Sequence, residues 1–276
     1  MKLVKTHWIW VVALLAASCS TETVRVSDEV VARDYDFDTF TALEVATDFN
    51  AYVNFSDTEQ RVRIEANSNL FDKLDVFQQN EKLIVKVKKN VNIKGKETLN
   101  LFITAKEITN FEASSNASIF LDAPLNTTSA SVVLSSDAHF DGDITADNFT
   151  MEASSNSRAK LYLDSGRAAM NFSSGAELEG EVAIDQADVK LSSDSDIDVV
   201  GDIRTLNAVL SSNSRFKDYA LQVEQLRIVL SSDSDAFLTV SETIDITASS
   251  NGKLFYKGNA EVIRQDLSSE GAIIKK

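Results

Sequence analysis

Three sets of side chains in this sequence have the type and spacing that chemistry could use. Asp194, Asp196 and Asp198 stand two apart, as do Asp141 and Asp143, so an extended backbone would turn each set to one side. Carboxylates held close together serve acid–base attack on glycosidic bonds, and their oxygens suit Ca2+. Nine Ser-Ser pairs offer hydroxyl nucleophiles, starting at Ser114, Ser135, Ser154, Ser173, Ser192, Ser211, Ser231, Ser249 and Ser268. The third set is a single thiol, Cys19, the only cysteine of 276 residues.

The catalytic readings weaken when their remaining parts are sought. A nucleophilic serine needs a base and an oxyanion hole, and nine copies of one corner supply neither. His139 follows Asp137 but reads as a surface residue. The acids lack a G-G-x-G-x-D nonapeptide or a Glu closing a 12-residue loop, and His139, the only histidine after His7, cannot build a histidine-based zinc site alone. A weak surface calcium at Asp194, Asp196 and Asp198 is the cofactor reading that is left; otherwise these acids form a solvated row.

The elements that must carry these residues follow from the interval between serine pairs. Successive gaps are 21, 19, 19, 19, 19, 20, 18 and 19 residues, the mark of one repeated unit stacked many times. Before each pair, every second residue is largely apolar: Phe149, Met151 and Ala153 in one coil, Leu206, Ala208 and Leu210 in another. Period two means a strand with one buried face, here of about five residues. After each pair comes Asn, Asp, Gly or Glu, then a small residue, then an apolar column from Ile119 to Ile273. Such residues suit a sharp bend. The spacing predicts an all-β, single-domain parallel β-helix with coils of about 19 residues, each roughly 4.8 Å along the axis.

At the third corner position Asn116, Asp137, Asn156, Gly175, Asp194, Asn213, Asp233, Asn251 and Glu270 never place two acids in adjacent coils. Stacked carboxylates about 4.8 Å apart would repel by roughly 1 kcal/mol even in water. The alternation predicts a structural ladder of hydrogen-bonding side chains.

Lys2 and Lys5, the apolar stretch from Trp8 to Ala17, and small residues before Cys19 read as a signal peptide over 1–18. This leader resembles the bacterial lipobox, which implies cleavage before Cys19 and lipid on its sulfur. Residues 19–33 are polar and charged and are expected to tether the lipid to the fold. Without the leader the chain has 25 basic and 42 acidic side chains, a balance of −17 that disfavours nucleic acid as a partner. With no second cysteine, stacking alone must stabilise the fold.

From 34 to 110 strand patterns persist without the fixed spacing, and Asn80-Glu81 marks a hairpin-like return. This region is expected to form irregular first coils or a cap, with regular coils over 111–276. The lipobox, the segment Phe37-Asp38-Thr39-Phe40-Thr41-Ala42-Leu43-Glu44-Val45, the stretch from Asn69-Leu70 to Leu83-Ile84-Val85 and the Ser-Ser-[Asn/Asp]-small coils together resemble the auto-transporter adhesin family with the head GIN domain. The resemblance implies a β-helical envelope lipoprotein of the outer membrane and brings no catalytic residues. This chain departs from the commoner members in its few glycines, nine in all.

The function expected is a non-enzymatic adhesin or glycan-binding rod, facing the cell exterior or the periplasm. Alternatives are a polysaccharide lyase or hydrolase, or a periplasmic scaffold with an envelope-sensing role. Against the enzyme stands the near-constant coil length, which leaves no long loops to build a cleft. Candidate contacts for a glycan or protein ligand are the aromatics of outward or near-outward columns, Phe120, Tyr162, Phe237, Phe255 and Tyr256. Pairing of solenoid ends or edges would make a homo-oligomer.

Overall fold

The computed structural model describes residues 21–217 and 219–276. The leader and Cys19 lie outside the described residues.

The chain is a parallel β-solenoid of about nine turns with coils of about 19 residues. Its strands are longer than the five-residue pieces expected. His139–Ala153, Arg158–Phe172, Glu177–Leu191 and Asp196–Leu210 each run 15 residues and pair in parallel, Phe149 beside Ala168, Ala187 and Leu206. Inward and outward residues alternate along each strand except at one exposed pair, Asp147-Asn148, Gly166-Arg167 or Asp185-Gln186. The ladder skips the first residue of each pair. Skipping one residue in a period-two pattern flips its phase, so the strand turns a corner and stays apolar inside on both legs. The interior is filled by side chains such as Phe111, Phe140 and Phe149, with Phe111 and Phe140 packed edge to face at 5.4 Å.

The second corner is the Ser-Ser motif. Its second serine and its Asn or Asp both take left-handed φ, 55° and 63° at Ser115-Asn116 and 56° and 60° at Ser155-Asn156. The fourth residue donates back to the first serine, Ala117 N–H to Ser114 O at 3.2 Å, which makes a type I′ turn. Left-handed backbone costs an L-residue about 1–2 kcal/mol. Bonds between coils offset that cost. The third residue's N–H reaches the next coil's second serine carbonyl, as Asn116 to Ser136 at 3.0 Å. Its side chain reaches the preceding coil: Asn156 Nδ2 to Asp137 Oδ1 at 3.4 Å, Asn213 to Asp194 at 3.2 Å and Asn251 to Asp233 at 2.5 Å. Each bonded pair thus sets an amide donor on a carboxylate.

The amino-terminal region contains a coil that the serine spacing does not reveal. Ala42–Ala46 and Asn50–Phe55 are joined by Thr47-Asp48, with φ of 64° and 59°, and Asn116 Nδ2 donates to Asp48 Oδ1 at 3.1 Å. This is the same corner built without serine. Lys82–Val87 and Leu99–Ala105 lie beneath that coil, while Asn110–Ser114 and Ser118–Leu121 lie above it. Order along the axis therefore differs from order along the chain.

Antiparallel strands close this end. Leu74–Gln79 returns on Lys82–Val87 through Asn80, and Arg61–Asn67 lines Leu99–Ala105. The 3-10 turn Ser68–Lys73 joins them, with Leu70 and Phe71 buried and the Arg33 guanidinium 4.0 Å from the Phe71 ring centre. The tether expected over 19–33 is corrected here for its described part. Glu22–Arg25 pairs with Val91–Lys94, and Val30–Tyr35 pairs with Arg61–Asn67. Val24, Val26 and Val31 pack on the core, and Asn69 holds Arg25 O at 2.7 Å, so few apolar residues suffice to order a polar segment.

Candidate functional site

Corner geometry sends alternate residues outward on two legs, and the candidates fall on both. On the leg after the serine corner, one register column reads Phe102, Tyr52, Phe120, Asp141, Lys160, Glu179, Asp198 and Lys217. It resumes at the far end with Phe237, Phe255 and Ile274. Tyr52 stacks on Phe102 and on Phe120, each at 5.3 Å, and Phe237 stacks on Phe255 at 4.8 Å. These rings spend their faces on one another and leave edges to solvent. Lys276 lies 5.3 Å from the Phe255 centroid, and Phe237 meets Tyr219 edge-on. Tyr162 stands apart, 48% exposed, between Asp143 and Glu181. Tyr256 departs from expectation: it points inward and is buried, one residue out of phase with Phe255. Its ring closes the core of the last coils and offers no ligand surface.

His139 tilts against Phe120, with ring centres 5.7 Å apart. Burial lowers its pKa, aided by Arg158 and Lys160 and opposed by Asp141.

The acid run is dispersed among different jobs. Asp194 accepts the Asn213 ladder bond, while Asp196 pairs with Lys217 Nζ at 2.7 Å. Asp198 points outward in the column between Glu179 and Lys217. Among the described residues no three His, Cys, Asp or Glu side chains converge in a way that could hold a metal. The ladder residues Asn116, Asp137, Asn156, Asp194, Asn213, Asp233 and Asn251 all stand in corners with left-handed φ.

The leg before the corner holds a feature the sequence reading passed over. A trough of about 560 Å³ runs along five coils. One wall is the column Val133, Glu152, Asn171, Lys190 and Val209, in unbroken register. The other is the first serine of each pair, Ser135, Ser154, Ser173, Ser192 and Ser211, all half-buried. A second depression of about 220 Å³ adjoins it and shares Glu152, Asn171 and Lys190. None of those three side chains, nor any of the five hydroxyls, bonds to another described residue. Val133 and Val209 are 39% and 44% exposed at the two ends. The signal was present, since these are the residues between the inward positions just before each serine pair. Reading the first serine only as a corner residue hid it.

Comparison with known proteins agrees with this architecture. Several solved structures share the fold, three of which follow. A "putative adhesin" from Parabacteroides merdae has 15% identity and a TM-score of 0.69 over 92% of this chain and 99% of its own. A "putative lipid binding protein" from Parabacteroides distasonis has 13% identity and a TM-score of 0.73 over 92% and 100%. A "putative adhesin" from the same organism has 16% identity and a TM-score of 0.66 over 92% and 100%. No curated protein matches the sequence. The family model "Putative auto-transporter adhesin, head GIN domain" matches residues 39–178 and again 158–260, so the chain belongs to that family.

Proposed function

We propose that this protein is a non-catalytic, adhesin-like rod of the cell envelope that captures an extended ligand along its side. The trough over five coils, with free polar groups in register, carries this reading. Stacked coils repeat the same side-chain position at each step, which suits a polymer better than a small substrate. The adhesin names of the family and of two structural relatives support the same role. Lipid on Cys19 would hold the rod at a membrane. No helix among the described residues is long and apolar enough to cross one.

Two measurements on cells test the proposal. Proteinase K on intact cells, with a periplasmic protein as control, should remove the rod if it works outside. Cells lacking the protein should then adhere less to surfaces coated with polysaccharide or host glycoprotein. Unchanged adhesion to every coating would overturn the capture role.

A further inference from the structure

Resting on that reading, we infer that the trough binds a neutral, extended glycan, with one sugar lying against each coil. The serine hydroxyls recur with the coils, about every 4.8 Å, over roughly 19 Å from Ser135 to Ser211. A sugar chain linked through equatorial bonds advances by nearly the same step per ring; alternate rings are turned over, but both edges of each ring carry hydroxyls, so every ring still presents one to an equivalent serine. A β-strand peptide repeats its facing side chains every 6.6–6.8 Å or so and drifts out of phase within two coils. A polyproline helix repeats every ~9.3 Å, which would engage only alternate serines.

Polyproline helices dock in grooves lined by aromatics, whereas the one aromatic of the trough, Phe172, is 2% exposed. Hydroxyls that both donate and accept, flanked by one amide, match the hydroxyls of a sugar chain. Val133 and Val209 offer apolar contact to the C–H faces of the terminal rings. The protein carries a large acidic excess, yet the trough holds one acid and one base, Glu152 and Lys190, with Asn171 between them. A polyanion would be repelled by the rest of the molecule, and a polycation would find its partners elsewhere on the surface.

The test uses residues 21–276 and linear β-1,4-linked gluco-oligosaccharides of two to six sugars, followed by calorimetry. Affinity should rise with each sugar up to about five, the number of serine steps, and then level. Asn171→Ala, which alters an exposed side chain, should weaken binding of the longest oligomer about tenfold, or 1.4 kcal/mol. Ser173→Leu, which fills the trough, should abolish it while circular dichroism stays unchanged. Equal affinity for two and six sugars, or binding indifferent to both variants, would overturn the assignment. So would preference for a decaproline peptide or for alginate, a polyanion. If the protein mediates adhesion but the variants adhere normally, the trough fails and the adhesin reading stands. If adhesion itself is absent while the oligosaccharides bind, the reverse holds.

Discussion

Ser157 and Ser214 occupy the same corner position in different coils, both fully buried, yet their hydroxyls differ. Ser214 accepts from Ser211 N–H at 3.1 Å and donates to Leu191 O at 3.2 Å. Ser157 Oγ has no partner among the described residues. Leaving a buried polar atom unpaired costs more than a made bond returns. Ser214→Ala should therefore lower stability by about 1 kcal/mol, whereas Ser157→Ala should be neutral or stabilising; urea melts of the two variants check this. Alanine already fills the position at Ala117, Ala138 and Ala176. Two carboxylates give a second contrast. Asp245 lies between Arg264 at 2.7 Å and Arg227 at 3.3 Å, and the Arg264 hydrogen bond leads in holding its pKa down. Its stabilisation is present above the ordinary carboxylate range and is lost as pH falls through the lowered value. Burial raises the pKa of Asp235, with Lys253 and Arg215 opposing and Asp233 adding, so its ionisation works against folding as pH rises. At pH 7 Asp245→Asn should lower the melting temperature and Asp235→Asn should raise it. Both differences should shrink under strongly acidic conditions.

The corner is the element on which stacking depends, and Gly175 is its irregular member. With φ of 73° and Asn156 Oδ1 only 2.7 Å from where a Cβ would sit, it lets the Asn156 amide turn wholly toward Asp137. Gly175→Asp would set a carboxylate between that oxygen and Asp194. Gly175→Asn could donate to the same oxygen. The Asn variant should melt above the Asp variant, and their gap should narrow in high salt. Elements were legible in the sequence to the degree that their residues repeat. Alternations such as Phe149, Met151 and Ala153 set the inward face because period two survives any single substitution. The 15-residue strands were not legible, because Asp147-Asn148 looks like a turn and is a bend within one strand. Thr47-Asp48 escaped because backbone φ, not the serine hydroxyl, defines the corner. Tyr256 was misplaced because two adjacent aromatics, Phe255 and Tyr256, hide the phase. The trough residues were visible one by one, but their shared hollow depends on neighbouring side-chain heights that no single coil displays.

For the whole molecule, one-coil register is the rule that counts. Arg158 pairs with Glu177 as its coil-to-coil equivalent, so removing residues 158–176 joins Ser157 to a residue in the same phase. That deletion should fold with an unchanged sheet spectrum and a smaller urea m-value, since less surface is buried. Removing only residues 158–167 puts half the rod out of phase and should prevent folding.

The crossed order of the first coils has a consequence for how the rod comes into being. Ala42–Ala46 and Asn50–Phe55 need Lys82–Ala105 beneath them and Asn110–Leu121 above. Neither neighbour exists when they leave the ribosome. The earliest stable kernel therefore spans about 80 residues of chain, and its loop closures come before any repeat can add. Up to that point the polypeptide remains slack. Past it, coils can be laid down one at a time in the order they emerge, on a template that already faces the right way.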